Sequence, residues 1–368
     1  MAIYIFIFLL FSLFAYLEVR FDLTGYNKNV LYYIIFFYLI IQVGFRWETG
    51  TDWRPYFEHF ESAGSLEKVF LDVLLGFEIG YGYSVYLIRL FTDNYTVFLV
   101  IHALIYYLLV FKANKKLSPY PIISMFIFYT STMGILGSNR QLIALSVCLY
   151  SLKFVVNKKP LKFLVSIALA FTFHTSALFF LVYYFLNRNF KKYYLITFLL
   201  AAIIIGKSSL PTYIFSSFAD FLGGAASAKA DMYSSNEMSE TSLSLTGLIR
   251  RLLFFVFFLY NYDSLVKKWP VYKLMFNGYF FGLCIYFLFK DTFIILVGRG
   301  SYYFNVMECF LLASQLLLFK YKRDRSYVLL FLILYACLIF FQSISEFPFL
   351  FLPYKGIFIN ESFQRTVL

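Results

Sequence analysis

Apolar runs recur along this chain near residues 1–17, 30–44, 79–91, 95–111, 119–137, 141–156, 161–173, 175–187, 193–206, 248–262, 270–289, 300–319 and 326–342. Short polar gaps separate them. A transmembrane helix needs about 20 apolar residues. Hydrophobic residues make up 61% of the chain and charged residues only 14%, against about a quarter charged in soluble domains. No soluble core hides that much apolar surface. The pattern predicts an all-α polytopic membrane protein with about 11–14 transmembrane helices. One integral membrane domain is expected over 1–368, with large outer loops at 45–78 and 207–247. Residues 1–17 lack a basic leader and a small-residue cleavage site, so they read as a retained first span.

The charges orient the chain. Basic clusters stand at Lys112/Lys115/Lys116, Lys158/Lys159/Lys162, Arg188/Lys191/Lys192, Lys267/Lys268 and Lys320/Lys322/Arg323/Arg325. Basic loops stay in the cytoplasm. Alternate gaps then face outward: Ser138 to Gln141, His174 to Ser176, 207–247, Lys290 to Arg299, and the stretch after Ser343. In a soluble protein a net charge of +12 would suggest nucleic acid. Here it sets topology, and no nucleic-acid partner is expected. Parity allows only one full crossing among runs 79–91 and 95–111, so the first is expected to be a short, partly inserted helix. Runs 161–173 and 175–187 are expected to be a pair meeting at His174.

Arginines carry the chemistry. Arg46, Arg140, Arg250, Arg251 and Arg299 lie at or near the outer ends of four apolar runs, where positive charge is normally scarce. An isolated arginine there snorkels to headgroups. A group of them matches phosphate oxygens through bidentate forks, which points to a lipid diphosphate. The segment Arg46-Trp47-Glu48-Thr49-Gly50-Thr51-Asp52-Trp53-Arg54-Pro55-Tyr56 follows a span directly. Gly50 permits a sharp turn. Asp52, beside Arg46 and Arg54, is a candidate for an ion pair. Trp47 and Trp53 suit a membrane interface or a sugar ring.

Asp52, Glu78 and His174 are the acid–base candidates, and His174 is equally a candidate diphosphate ligand. His102 is a weaker candidate and His59 reads as a surface residue. Walker, zinc and Gly-x-Ser-x-Gly patterns are missing, as is a DxD-like acidic pair. Neither a metal nor another cofactor is therefore expected. Arginines would neutralise a departing diphosphate.

These pieces resemble the EpsG-type branch of Wzy polysaccharide polymerases. The likeness rests on Arg46-x3-Gly50-Thr51-Asp52-x3-Tyr56, Glu78 with Gly80, Asn139-Arg140-Gln141 and Phe173-His174-Thr175-Ser176-Ala177. Weaker matches are Arg250/Arg251, Arg299 with Tyr302/Tyr303, and Leu352-Pro353-Tyr354. The resemblance implies a GT-C-type glycosyltransferase on the outer face of the bacterial inner membrane, facing the periplasm or exterior. Its substrates would be undecaprenyl-diphosphate-linked glycans, one as donor and one as acceptor, as in O-antigen, capsule or exopolysaccharide synthesis. Arg46, Arg140, Gln141, Arg250, Arg251, Arg299 and Tyr354 would bind diphosphate and substrate. Membrane lipids surround such a protein, and the resemblance admits a chain-length regulator protein as a further partner. A flippase or transporter of lipid-linked sugars, an O-antigen ligase and an O-acyltransferase are the competing readings. A transporter would show related halves, and no internal repeat is visible.

Overall fold

A computed structural model describes residues 2–23, 25–74, 77–213, 217, 245–291, 294–345 and 347–357. Among these residues the chain is all helix, turn and loop, with a single isolated antiparallel bridge between Arg46 and Gly356. The chain divides into two compact units, Met1–Leu181 with Leu312–Leu368, and Val182–Leu311.

The first unit holds α1 (Ala2–Arg20), α2 (Gly25–Gly44), α3 (Trp53–Ser62), α4 (Leu66–Leu74), α5 (Ile79–Arg89), α6 (Tyr95–Leu117), α7 (Pro121–Thr132), α8 (Asn139–Val156) and α9 (Pro160–Phe173). The second begins with α10 (Tyr183–Leu186) and α11 (Lys192–Gly206), and continues with α12 (Leu245–Tyr260), α13 (Tyr262–Lys268), α14 (Tyr272–Phe289) and α15 (Ile294–Asn305). Helix α16 (Glu308–Ser314) contains the boundary at Leu311, and α17 (Lys322–Ser345) belongs to the first unit.

Local chemistry sets the helix starts. The Asn94 side chain accepts from the Thr96 and Val97 N–H groups and caps α6. Pro121 and Pro160 open α7 and α9, where a missing N–H costs nothing. The start of α7 is capped from a distance. Buried Glu18 accepts from the Ile122 and Ile123 N–H groups and pairs with Lys28 at 3.2 Å. That contact ties α1, α2 and α7 together at one end.

Among the described residues four helices are long and apolar enough to cross a membrane: α1, α6, α14 and α17. Four shorter apolar segments accompany them. Ile5, Phe6, Leu9 and Leu13 on α1, and Leu330, Phe331, Leu334, Leu338 and Phe341 on α17, turn outward. Apolar faces of that size suit lipid rather than water. The protein is an all-α polytopic membrane protein.

Several runs break where the sequence reads as continuous. Run 119–137 divides into α7 and a 3-10 turn at Met133–Ile135. Run 300–319 divides into the end of α15, then α16, then a 3-10 turn at Gln315–Leu318. Arg299, expected in the gap before that run, instead lies inside α15, because the helix runs through Gly298 and Gly300. Run 79–91 is the 11-residue helix α5. At 1.5 Å per residue it is about 16 Å long, short of the roughly 30 Å hydrocarbon core. Runs 161–173 and 175–187 part at His174, which is extended (φ −159°, ψ 124°).

The expected outer loop 45–78 contains α3 and α4. Most of the expected loop 207–247 lies outside the described residues.

Candidate functional site

Residues 45–52 enter the site from the end of α2, and 136–138 meet them from the turn before α8. Gly50 and Gly137 have φ of 103° and 114°, a region open to glycine. A Cβ on Gly50 would collide with the Leu136 carbonyl, and one on Gly137 with the Thr51 carbonyl. The two backbones interlock, and the Thr51 N–H donates to Leu136 O at 2.7 Å. The tail of the first unit closes over the same loop. Trp47 N–H donates to Lys355 O, Gly50 N–H to Leu350 O, and Ile357 N–H to Phe45 O. Lys355 Nζ pairs with Glu48 at 2.8 Å. Tyr354 donates its hydroxyl to Gln42 O.

This lacing buries Arg46, which is 1% exposed. Its Nη1 donates to Val43 O at 2.7 Å and its Nη2 to Asn139 Oδ1 at 2.9 Å. Desolvation works against its charge, offset in part by the phenols of Tyr95, Tyr354, Tyr107 and Tyr81. His102 Nε2 lies 2.9 Å from Asn139 O, so Asn139 is held by both side chain and main chain. Arg46 thereby fixes the start of α8.

Arg140 is the next residue and is far more accessible, at 26% side-chain exposure. Its Nη1 donates to Glu78 Oε2 at 2.6 Å and its Nε to the Tyr56 hydroxyl at 3.1 Å. The guanidinium lies 4.8 Å over the Phe77 ring. Among the described residues its Nη2 makes no hydrogen bond. Gln141 follows and is buried. Glu78 is shared: its Oε1 accepts from the Thr175 N–H at 3.3 Å. The residue after His174 is thus tied to the carboxylate that orients Arg140. His174 Nδ1 meets the Ser176 hydroxyl at 2.6 Å and the Ser176 N–H at 3.3 Å.

Asp52 adopts a left-handed conformation (φ 53°) before α3. Its Oδ2 accepts from the Ser138 hydroxyl at 3.2 Å. The ion pair expected there does not form: Arg46 turns to Asn139, and Arg54 pairs with Glu58 at 2.8 Å. Trp47 and Trp53 pack edge to face against each other and beside an aromatic cluster with Phe57 and Tyr95. His59, read as a surface residue, is buried. It stacks on Phe77 with centroids 4.5 Å apart and lies 3.1 Å from Asp72. The α3–α4 corner covers it, which its polar sequence context conceals.

In the second unit, Arg250 pairs with Glu308 at 3.1 Å. Arg251 lies 4.9 Å over the Tyr286 ring, and the Tyr279 hydroxyl donates to its carbonyl. Arg299 is exposed on α15. Sequence reasoning missed Glu308 and the roles of Lys355 and His102. An acid inside the apolar run Val306-Met307-Glu308-Cys309 was the available signal. Among the described residues no cluster of three or more His, Cys, Asp or Glu side chains is placed to hold a metal.

A polytopic helical membrane protein with arginine–carboxylate pairs beside its helix ends is the class that these features define. A family model for the EpsG family matches residues 29–356. The chain belongs to the EpsG family, and membership supports a polysaccharide polymerase-like role in general. No curated protein and no solved structure matches the chain.

Proposed function

We propose that the protein joins oligosaccharide repeat units carried on undecaprenyl diphosphate, at the outer face of the bacterial inner membrane. The observation that carries this reading is Arg140. Glu78, Tyr56 and Phe77 hold its guanidinium in one orientation, while Nη2 stays uncommitted and the side chain stays reachable. A pre-aimed guanidinium can take a phosphate oxygen and stabilise the charge that develops on it. Orientation comes from the basic loops, which favour the cytoplasm.

In the proposed step the acceptor hydroxyl oxygen attacks the anomeric carbon of the donor chain. The bond from that carbon to the phosphate oxygen breaks, and undecaprenyl diphosphate leaves. The hydroxyl proton passes to a carboxylate. Asp52 suits this better than Glu78, whose two oxygens already accept from Arg140 and Thr175. Among the described residues Asp52 has no cation partner. Arg46 acts through Asn139 as a positioning residue, Tyr354 supports the end of α2 through Gln42 O, and Gln141 is kept as a substrate-binding candidate. Arg250, Arg251 and Arg299, which belong to the second unit, are candidates for phosphate oxygens in their own right. Arg251, 4.9 Å over the Tyr286 ring, is the foremost of them.

The test is an assay with purified protein and one defined lipid-linked repeat unit. A ladder of products formed without nucleotide sugar supports polymerisation. Movement of the lipid across the bilayer with no new glycosidic bond favours a flippase and overturns the reading.

A further inference from the structure

Helices α3 and α8 both start from residues of strong capping types, Asp52 and Ser138. An N-cap side chain normally accepts from N–H groups of the first helical turn. Neither does so here: among the described residues, Asp52 and Ser138 make no side-chain cap bond. The two side chains turn to each other instead, and the Ser138 hydroxyl donates to Asp52 Oδ2 at 3.2 Å. Thr51 Oγ1 lies 3.4 Å from the same hydroxyl. Backbone geometry explains the diversion. Asp52 is left-handed (φ 53°, ψ 17°), and Ser138 has a ψ of 66°. A capping side chain reaches its helix from an extended backbone, which neither residue adopts.

Asp52 is exposed, and among the described residues its Oδ1 accepts no hydrogen bond. One carboxylate oxygen is fixed and the other is open. The interlocked loops beneath them hold the two residues together, with the Thr51 N–H donating to Leu136 O at 2.7 Å. Glu48 and Asp52 are non-glycine residues at positive φ, 40° and 53°. Such residues are uncommon, and they gather at functional sites. Ser138 also stands two residues before Arg140. The Asp52 and Arg140 charges both act on the Tyr56 phenol. The short segment 138–140 therefore sets the carboxylate and the guanidinium at once.

We propose that Ser138 is a positioning residue for the transfer step: its hydroxyl holds Asp52 Oδ2 and leaves Oδ1 to take the proton of the acceptor hydroxyl. This role rests on the function proposed above. The acceptor oxygen bonds to the anomeric carbon as the bond from that carbon to the phosphate oxygen breaks. The acceptor proton passes to Asp52 Oδ1, and Ser138 keeps its own proton throughout. After undecaprenyl diphosphate leaves, exposed Asp52 returns the proton to water. A carboxylate without such a partner swings broadly about χ2. The hydroxyl restricts that swing, and a small misplacement of a reacting group costs much of its rate.

The test compares Ser138→Ala, Ser138→Thr and Asp52→Asn as full-length proteins in detergent. Elongation of a defined lipid-linked repeat unit gives kcat and KM, titration with undecaprenyl diphosphate gives affinity, and thermal unfolding gives a midpoint. Asp52→Asn should lose about a hundredfold or more in kcat, as the loss of a general base does. Ser138→Ala should lower kcat by about tenfold while KM and lipid affinity stay within about twofold of wild type. Ser138→Thr keeps the hydroxyl and should recover most of the loss.

A merely structural serine gives a different result. Loss of a working N-cap lowers the unfolding midpoint by a few degrees. The Ser138 hydroxyl caps nothing, so the Ser138→Ala midpoint should stay within about 2 °C of wild type. A lowered midpoint in Ser138→Ala, a wild-type kcat there, or a loss confined to KM overturns the proposal. So does a Ser138→Thr protein as slow as Ser138→Ala, or a near-wild-type kcat in Asp52→Asn. In each of these cases a wild type that elongates keeps the polymerase reading without Ser138. A wild type that elongates nothing removes the polymerase reading and this role together.

Discussion

Arg140 Nη1 and Glu78 Oε2 stand 2.6 Å apart across 62 residues of chain, the shortest arginine–carboxylate contact among the described residues together with that of Arg325 and Asp22. Arg325 belongs to a basic gap expected in the cytoplasm, and Asp22 to the separate gap between the first two apolar runs. Glu78 and Arg140 come from two segments expected outside, and each also binds a second element, Tyr56 for Arg140 and Thr175 for Glu78.

Replacing Arg140 should stop polymer formation while leaving single repeat units on the lipid. Arg140→Ala is expected to lower elongation by about a hundredfold or more, the scale of losing an oriented donor to developing charge. Arg140→Lys should rescue little, because one ammonium cannot serve Glu78, Tyr56 and a phosphate in the guanidinium's planar geometry. The chain-length distribution on gels reads this directly, and a normal distribution in Arg140→Ala removes Arg140 from the site.

The Glu48–Lys355 pair should behave as a coupled unit. Lys355 is 8% exposed and Glu48 22%. Lys355→Met strands a largely shielded carboxylate and is expected to cost on the order of 2–3 kcal/mol. Adding Glu48→Gln should recover much of that loss. Thermal unfolding of both single variants and the double variant gives the coupling energy, and strictly additive losses would show that the tail is not held by this pair.

Gly50→Ala and Gly137→Ala should each fail to give a well-folded protein. Both positions combine positive φ with a Cβ that overlaps a facing carbonyl. Strain and overlap together are expected to exceed about 2 kcal/mol. Gly64→Ala, where a Cβ meets open space, is the control. Size-exclusion profiles in detergent compare the three, and a monodisperse Gly137→Ala protein would contradict the interlocked loops.

Acid should loosen the α3–α4 corner through His59. Burial lowers the His59 pKa from 6.5, partly opposed by Asp72. The unfolded chain then binds a proton more readily than the folded one. Stability contributed by neutral His59 is full above about pH 6.5 and declines as pH falls below it. His59→Phe keeps the stack on Phe77, leaves Asp72 paired with Lys68 at 2.8 Å, and should flatten the acid limb of a melting curve. An unchanged acid limb would assign it to other groups.

Arg46 and Arg140 show how far a linear pattern reaches. Both are arginines beside the ends of apolar runs, and both read as phosphate ligands. In the folded chain one is buried against Asn139 and the other is partly open beside Glu78. Asp52 reads as the neighbour of two arginines, yet both turn away from it. His59 reads as exposed in a polar stretch and is covered by α4 and Phe77. Each difference arises from contacts between segments far apart in sequence, which local charge spacing does not encode.

The sequence by itself determined the solvent and the helical class: its apolar runs can be satisfied only by helices in lipid, since unpaired backbone groups are too costly there. It also determined where cations and acids break those runs, and it carried the motif order that places the chain in the EpsG family. Only the tertiary structure decided which cation is spent on the scaffold and which remains for a ligand. Burial and hydrogen-bond saturation are properties of a three-dimensional neighbourhood. For Arg46 that neighbourhood is the tail at 350–357 and the start of α8, both distant in the chain.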